Sequence, residues 1–327
     1  MKINISEIFS IKNESDFNRI ALKIFNFQYA KNKIYRNYIE ELNTDISKIK
    51  YCTQIPFLPI DFFKTHKIIS SDKEIQSIFR SSGTSGMTRS EHHISDLSIY
   101  EKSFTETFKQ FYGKPENYVL LALLPSYSEQ GSSSLIYMVQ KLMQISGKPD
   151  NDFYLYNHKD LFKKLKQLET EKQKSILFGV SYALIDFFEQ YKIKLSHTTI
   201  IETGGMKGRK KEIVREELHK ILKNATSLKH IHSEYGMTEL LSQAYAKTEN
   251  RYETPAWMKI LIRDTNDPFD LLPQGKSGGI NIIDLANIYS CSFIETKDLG
   301  KLHSDNSFEV LGRFDNSDIR GCNLMVV

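Results

Sequence analysis

The chain has few cysteines. Cys52, Cys291 and Cys322 are the only three in 327 residues. Their spacing makes neither a CxxC metal pair nor a disulfide framework, so reduced thiols in a reducing compartment are expected. Long apolar runs are missing as well. The longest, residues 118–124, falls far short of the roughly 18 residues a spanning helix needs, and the N-terminus meets Glu7 and Asp16 before any apolar signal stretch forms. A cytoplasmic protein with no membrane span and no export is the expectation. One charge sign does not dominate either: 44 Lys and Arg against 40 Asp and Glu leave +4, too little to argue for a nucleic-acid or membrane partner. Neither GxxxxGK[ST] nor GxGxxG occurs, which removes the P-loop and the dinucleotide fingerprint.

What is present is an ordinary globular balance, 40% hydrophobic and 26% charged, which argues against disorder and collagen-like repeats. At roughly 150 residues per domain the length allows about two. Residues 14–43 carry Phe17, Ile20, Ala21, Ile24 and Phe27 at helical spacing with Ser15 as candidate N-cap, predicting a helical region over 1–74. Over 75–240, strand-like segments at 76–80, 118–124, 175–180 and 198–202 alternate with helix-like ones at 96–111, 132–145, 160–168, 182–191 and 210–222. That rhythm predicts an α/β layer with a largely parallel sheet. Further on, 258–263, 279–285, 290–295 and 307–311 read as strands, with turn signals at Asp267-Pro268, Pro273-Gln274-Gly275 and Ser277-Gly278-Gly279. They predict a β-rich subdomain over 241–321 and a tail at 322–327.

Three segments carry chemistry. Arg80-Ser81-Ser82-Gly83-Thr84-Ser85-Gly86 packs four hydroxyls and two glycines into seven residues. Glycines let backbone N–H groups close around an anion, and hydroxyls donate to its oxygens. A surface turn is the alternative. Glu234-Tyr235-Gly236-Met237-Thr238-Glu239 offers a ring able to stack on a purine and a carboxylate able to share a nucleotide's Mg²⁺, against a core tyrosine and a surface glutamate. Gly204-Gly205 follows a predicted strand, where α/β sheets bind ligands. Asp298 and Arg313 put opposite charges on the β-rich part, either for two ribose hydroxyls or as a salt bridge between strands. His92 and His93 are adjacent, a poor metal pair, and read as a helix entry. His232 either touches a bound carboxylate or fills a strand. The apolar stripe of the 132–145 helix, with Leu135, Met138, Val139, Leu142 and Met143, reads as core or as the lining of an apolar tunnel.

In this order, the segments resemble the adenylate-forming superfamily of acyl-CoA synthetases, luciferase and peptide-synthetase adenylation domains. Residues 82–86 are similar to that superfamily's phosphate loop, Gly204-Gly205 to its adenine-side loop, residues 235–239 to its aromatic-Gly-x-Thr-Glu motif, Asp298 to its ribose-binding aspartate and residues 312–315 to its hinge motif. Residues 59–64, 80–86 and 318–322 look most like the LuxE-type acyl-protein synthetases. The resemblance implies the large N-terminal domain of adenylate-forming enzymes, with mixed and parallel sheets and a β-rich C-terminal subdomain. It implies ATP and Mg²⁺ as cofactors and a carboxylic acid, a fatty acid in this branch, as substrate. Ser82, Gly83, Thr84, Ser85, Gly86, Arg89, Gly204, Gly205, Tyr235, Gly236, Asp298 and Arg313 would bind ATP, while Thr238, Glu239 and Cys322 would act in catalysis, Glu239 also on Mg²⁺. The acyl group would pass as a thioester on Cys322 to an acyl reductase, with an acyltransferase as a further partner. Two departures stand out. Met87-Thr88-Arg89-Ser90 replaces the usual Pro-Lys-Gly, so Arg89 must serve for a lysine of different geometry. With six residues after Gly321, the mobile lid and its lysine are not expected, so adenylation would do without that lysine or borrow a cation such as Lys297 or Arg313, or a partner's. An acyl- or aryl-CoA ligase using CoA, and a nucleotide-binding protein without catalysis, are the alternatives.

Overall fold

The computed structural model describes residues 3–82, 88–125, 131–204, 214–248 and 250–313. It divides into two compact units, one joining the chain up to Ser71 with that from Ala256 onward, the other Asp72–Pro255.

The first unit begins with helices α1 (Ile5–Ile8), α2 (Glu14–Lys31) and α3 (Lys33–Glu41). The cap of α2 is Asn13 and not Ser15: the Asn13 side chain accepts from the Asp16 N–H at 2.9 Å, which puts Ser15 inside the first turn beside Glu14 and Asp16, where acids favour a helix N-terminus. The predicted helical stretch is broken at Asn32. Its backbone N–H closes α2 on Gln28, and its Oδ1 caps α3 by accepting from the Tyr35 N–H at 3.0 Å. Its amide donates to Ser70 Oγ and to the Ser290 carbonyl, at 3.3 and 3.2 Å. One turn earlier Gln28 donates to the carbonyls of Asn287 and Ile288 and accepts from Ser292 N–H. Two buried amides therefore fasten these helices to the segment 287–292 that leads into the last strands.

Strand β1 (Leu58–Pro59) and the short helix α4 (Phe62–Thr65) complete the early part of this unit. In the second unit the elements are β2 (Ser77–Arg80), β3 (Glu91–Ile94), α5 (Leu97–Tyr112), β4 (Val119–Leu123), α6 (Ser134–Ser146), β5 (Asp152–Phe153), α7 (His158–Thr170), β6 (Ser175–Val180), α8 (Ser181–Gln190), β7 (Thr198–Thr203), α9 (Arg215–Thr226), β8 (His232–Tyr235), β9 (Ala244–Ala246) and β10 (Tyr252–Glu253). The first unit resumes with β11 (Met258–Arg263), β12 (Ser277–Asp284), β13 (Phe293–Leu302) and β14 (Phe308–Arg313).

These last four strands form an antiparallel meander, and β13 is shared lengthwise: its start pairs with β1 in parallel and its end with β14. The glycines read as a turn at Gly278-Gly279 lie within β12. A Cβ on Gly279 would meet the Arg263 guanidinium at 2.4 Å, because that buried side chain crosses the sheet to the Ile280 and Thr296 carbonyls at 3.0 and 2.7 Å. Close approach, not a bend, requires glycine there.

In the second unit the sheet order is β10-β9-β8-β7-β6-β4-β5, parallel from β8 to β5 and antiparallel at β9 and β10. The direction of winding reverses at β4, which lies between β5 and β6. Strand β5, two residues long, gave no sequence signal. The segment at 76–80 does not join this sheet. It forms β2, paired antiparallel with β3 in a separate hairpin. The stripe on α6 is core: Ile136, Tyr137, Met138, Val139, Leu142 and Met143 are buried, with Ile136 in the place expected for Leu135.

Replacing Asn32 with alanine removes a helix cap and one of the two donors to the buried Ser290 carbonyl, leaving it the Ser70 hydroxyl. Unfolding free energy measured by urea titration is expected to fall by about 2 kcal/mol; a loss under about 0.5 kcal/mol would mean that Asn32 does not bind the helices to the segment before β13.

Candidate functional site

Parallel pairing puts the carboxyl ends of β4, β6, β7 and β8 along one edge of the second unit's sheet, and at an edge of this kind α/β folds hold ligands. Gly204 leaves β7 there with φ +68°, a left-handed conformation suited to glycine. The Ser181 hydroxyl, at the start of α8, faces both the Gly204 carbonyl and Glu202 Oε2, with one proton to share between them. Tyr235 ends β8 and leads into Gly236, Met237, Thr238 and Glu239.

The Gly- and hydroxyl-rich loop joins β2 to β3. Its feet are stapled: Ser81 N–H donates to the Ser90 carbonyl at 3.1 Å, Ser90 N–H to Ser81 Oγ at 2.9 Å, and Arg80 Nε to Glu91 Oε1 at 2.9 Å. His92 and His93 are therefore strand residues, not a helix entry. His92 is fully buried, and its Nδ1 meets the Thr238 carbonyl at 2.8 Å. A carbonyl only accepts, so Nδ1 carries the proton. One imidazole thus ties the hairpin that carries residues 82–89 to the segment 235–239.

Of the residues expected to act, Ser82 and Arg89 are exposed at the loop's two ends. Gly83, Thr84, Ser85 and Gly86 lie outside the described residues, as do Gly205 and Cys322. Tyr235 is 7% exposed, edge-on to Tyr252 with ring centroids 5.8 Å apart, and Glu239 is 6% exposed. Asp298 and Arg313 belong to the first unit, directly opposite each other on β13 and β14, with Arg313 Nε 3.7 Å from Asp298 Oδ1. Lys297 is held by Asp61, whose Oδ2 lies at 2.6 Å. Cys52 and Cys291 are core residues. Burial raises the Cys52 thiol and pushes that of Cys291 up to about 12, so neither offers a thiolate near neutral pH.

Two buried carboxylates at the same edge escaped the sequence reading. Glu202 and Thr203 are consecutive in β7 and point to opposite faces of the sheet. On one face Glu202 takes Arg215 Nε at 2.9 Å, with His219 Nε2 at 3.8 Å. Burial works to raise its carboxyl, but His219 and Arg215 outweigh it and hold the group below the usual range. On the other face Glu234 accepts from the Thr203 hydroxyl, and its Oε1 lies 2.4 Å from where a Cβ on Gly236 would sit. Gly236 is glycine because the carboxylate fills that space. The signal in the sequence was a carboxylate near the end of each strand, Glu202 after the apolar Ile200-Ile201 and Glu234 after Ser233.

His232 sits in β8, its Nδ1 sharing a hydrogen bond with the Tyr112 hydroxyl at 3.2 Å and the two rings stacked. Burial, with the Lys247 charge nearby, pushes the imidazole down to about 4. Between an unfolded value near 6.5 and about 4, the unfolded chain takes up a proton that the fold excludes. Stability is whole above that window and falls as pH drops through it, by about 3 kcal/mol. Urea titrations from pH 7 to 4 are expected to show a shallower loss for His232→Gln; parallel curves would remove His232 from the acid response. Gly236→Ala is expected to displace the Glu234 carboxylate and lower the melting temperature by several degrees, about 2 kcal/mol, and an unchanged melting temperature would contradict that packing.

No curated protein matches the sequence. Among solved structures, ATP-bound MatB from Rhodopseudomonas palustris superposes with a TM-score of 0.55 at 15% identity, over 74% of this chain and 49% of that one. A 2-hydroxyisobutyryl-CoA ligase, in an open conformation with 2-HIB-AMP and CoA, gives 0.66 at 12% identity, over 93% and 70%. O-succinylbenzoate coenzyme A synthetase (MenE) from Bacillus subtilis, with AMP, gives 0.50 at 16%, over 76% and 51%. The chain spans about half the length of the MatB and MenE structures. At these identities the likeness is one of fold, that of the adenylate-forming enzymes' mixed α/β N-terminal domain. The family of LuxE acyl-protein synthetases matches residues 7–327, and the chain belongs to it.

Proposed function

We propose that the protein activates a carboxylic acid with ATP, a fatty acid by its family, and carries the acyl group as a thioester on Cys322 for delivery to a partner reductase. The observation that carries this reading is the hydrogen bond from His92 to the Thr238 carbonyl, which keeps the hairpin of the anion-type loop against the Tyr-Gly-x-Thr-Glu segment. Membership of the acyl-protein synthetase family supports it.

In the first step a carboxylate oxygen attacks the α-phosphorus of ATP. An acyl–phosphate bond forms, the bond to pyrophosphate breaks, and an oxide that could not leave has become a phosphate ester that can. The protein contributes position and charge. Ser82, Thr84 and Ser85, with the backbone of Gly83 and Gly86, would donate to phosphate oxygens, and Arg89 would supply the cation. Gly204, Gly205, Tyr235 and Gly236 would bound the nucleoside; Asp298 and Arg313 would take the ribose; Thr238 would face the reacting phosphate. Among the described residues no three His, Cys, Asp or Glu side chains gather as a metal cage. A nucleotide-borne Mg²⁺ does not require one: it takes one or two carboxylates and fills its shell from phosphate oxygens, and the single Glu239 fits that need. When bound, Mg²⁺ offsets phosphate charge. In the second step the Cys322 thiolate attacks the adenylate carbonyl and AMP leaves. The raised thiols of Cys52 and Cys291 favour Cys322 as the acceptor, with Arg320 two residues away to favour its thiolate. A reductase and an acyltransferase are the partner classes this chemistry calls for.

The test is ATP–pyrophosphate exchange over a panel of fatty and aromatic acids, with and without CoA, in wild type and Cys322→Ala. Acid-dependent exchange in both proteins is expected, with acyl labelling of the chain in wild type alone. ATP binding without exchange for any acid would overturn adenylation, and equal CoA-thioester formation by the two proteins would overturn Cys322 as acceptor.

A further inference from the structure

The buried acid on β7 has a use beyond neutralising an arginine. Register puts Glu202, Ser233, Ala246 and Tyr252 side by side across four strands on one face of the sheet. The small side chains of Ser233 and Ala246 leave a trough between the larger ones at either end. Arg215, from the first turn of α9, lies over it: Nε is 2.9 Å from Glu202 Oε1, NH1 is 3.0 Å from Asn250 Oδ1, and the guanidinium sits over the Tyr252 ring at 5.3 Å. Tyr252 in turn stands edge-on to Tyr235, which points to the same face from the end of β8. The other carboxylate oxygen of Glu202 shares the Ser181 hydroxyl with the Gly204 carbonyl. The two adenine-side positions of the proposed site, Tyr235 and Gly204, therefore converge on one carboxylate withdrawn from solvent, being 2% exposed.

We propose that Glu202 is a positioning residue for nucleotide binding, holding Arg215 over the Tyr252 ring so that Tyr235 is fixed in orientation, and fixing the Gly204 turn through Ser181. The proposal rests on the reading of Tyr235 and Gly204 as the adenine side. Arginine suits the post because its planar fork meets a carboxylate and a ring face together, whereas a lysine offers a point charge. With the carboxylate neutralised, the guanidinium, whose side chain is already 28% exposed, can turn toward water, and the rings lose their backing. The loss falls on a group that binds substrate and transition state alike, so it appears in the Michaelis constant for ATP and not in turnover.

Glu202→Gln, Arg215→Met and the double variant are compared in acid-dependent exchange, with ATP and GTP as nucleotides and melting temperature as the control. Each single variant is expected to raise KM for ATP about tenfold and to lower the preference for ATP over GTP, leaving kcat and the KM for acid within about twofold. The double variant is expected to match the worse single one, because both changes cut one link. Lower melting temperatures with unchanged KM for ATP, or additive losses, would overturn the proposal. Should Glu202→Gln not fold, Arg215→Lys keeps the charge pair but not the flat face, and an unshifted KM for ATP there overturns it equally. Wild-type protein that gives no acid-dependent exchange overturns the reading of the site and this inference together; exchange in wild type with unshifted variants overturns the inference alone.

Discussion

In strands β4 and β6 every residue is buried. A strand with no wet face must be covered on both sides, and its polar backbone must be satisfied within the sheet. Parallel neighbours supply the hydrogen bonds and helices supply the cover, which commits the second unit to a layered α/β build. The same constraint leaves only strand ends for chemistry. Polar side chains at this core sit at the strand ends: Ser175 and Thr198 pair at the amino edge, and Ser181, Glu202, Thr203 and Glu234 occur at the carboxyl edge, where each has a partner.

That layering was legible because its cause is local. Continuous apolar runs at 118–124 and 175–180, and helical spacing between them, survive in a single sequence. What did not survive was set by partners distant in the chain. Strand β2 has a run much like that of β6, yet its partner is β3 across a short loop, and only pairing distinguishes a hairpin from a sheet member. Gly278-Gly279 carries the composition of a turn, and nothing near it announces that Arg263, sixteen residues before its register partner Gly279, will occupy the space a side chain would need. Asn32 gave no break signal because an asparagine can cap a helix well or sit, less favourably, within one; its contacts to Ser70 and Ser290 decide the matter.

The site followed the same division. Its loops were visible as composition: glycines and hydroxyls at 82–86, an aromatic and a carboxylate at 235–239. The groups that hold those loops were not. His92 reads as half of an idle pair until β3 is recognised as a strand, whereupon alternation sends it inward to Thr238 and sends its neighbour the other way. Glu202 looked like the polite end of an apolar run. Recognition residues announce themselves by type, whereas the residues that orient them are ordinary in type and special only in place.

At its far edge the second unit's sheet ends, among the described residues, in a strand of two residues, Asp152 and Phe153, that the chain leaves at once with Tyr154 bonding back to Ala122. A long bare edge is a template on which other chains can add strands and build fibrils. Two residues, one of them acidic and flanked by Asp150, present too little unpaired backbone for such growth. The abrupt end of this strand spares an otherwise aliphatic sheet from self-association.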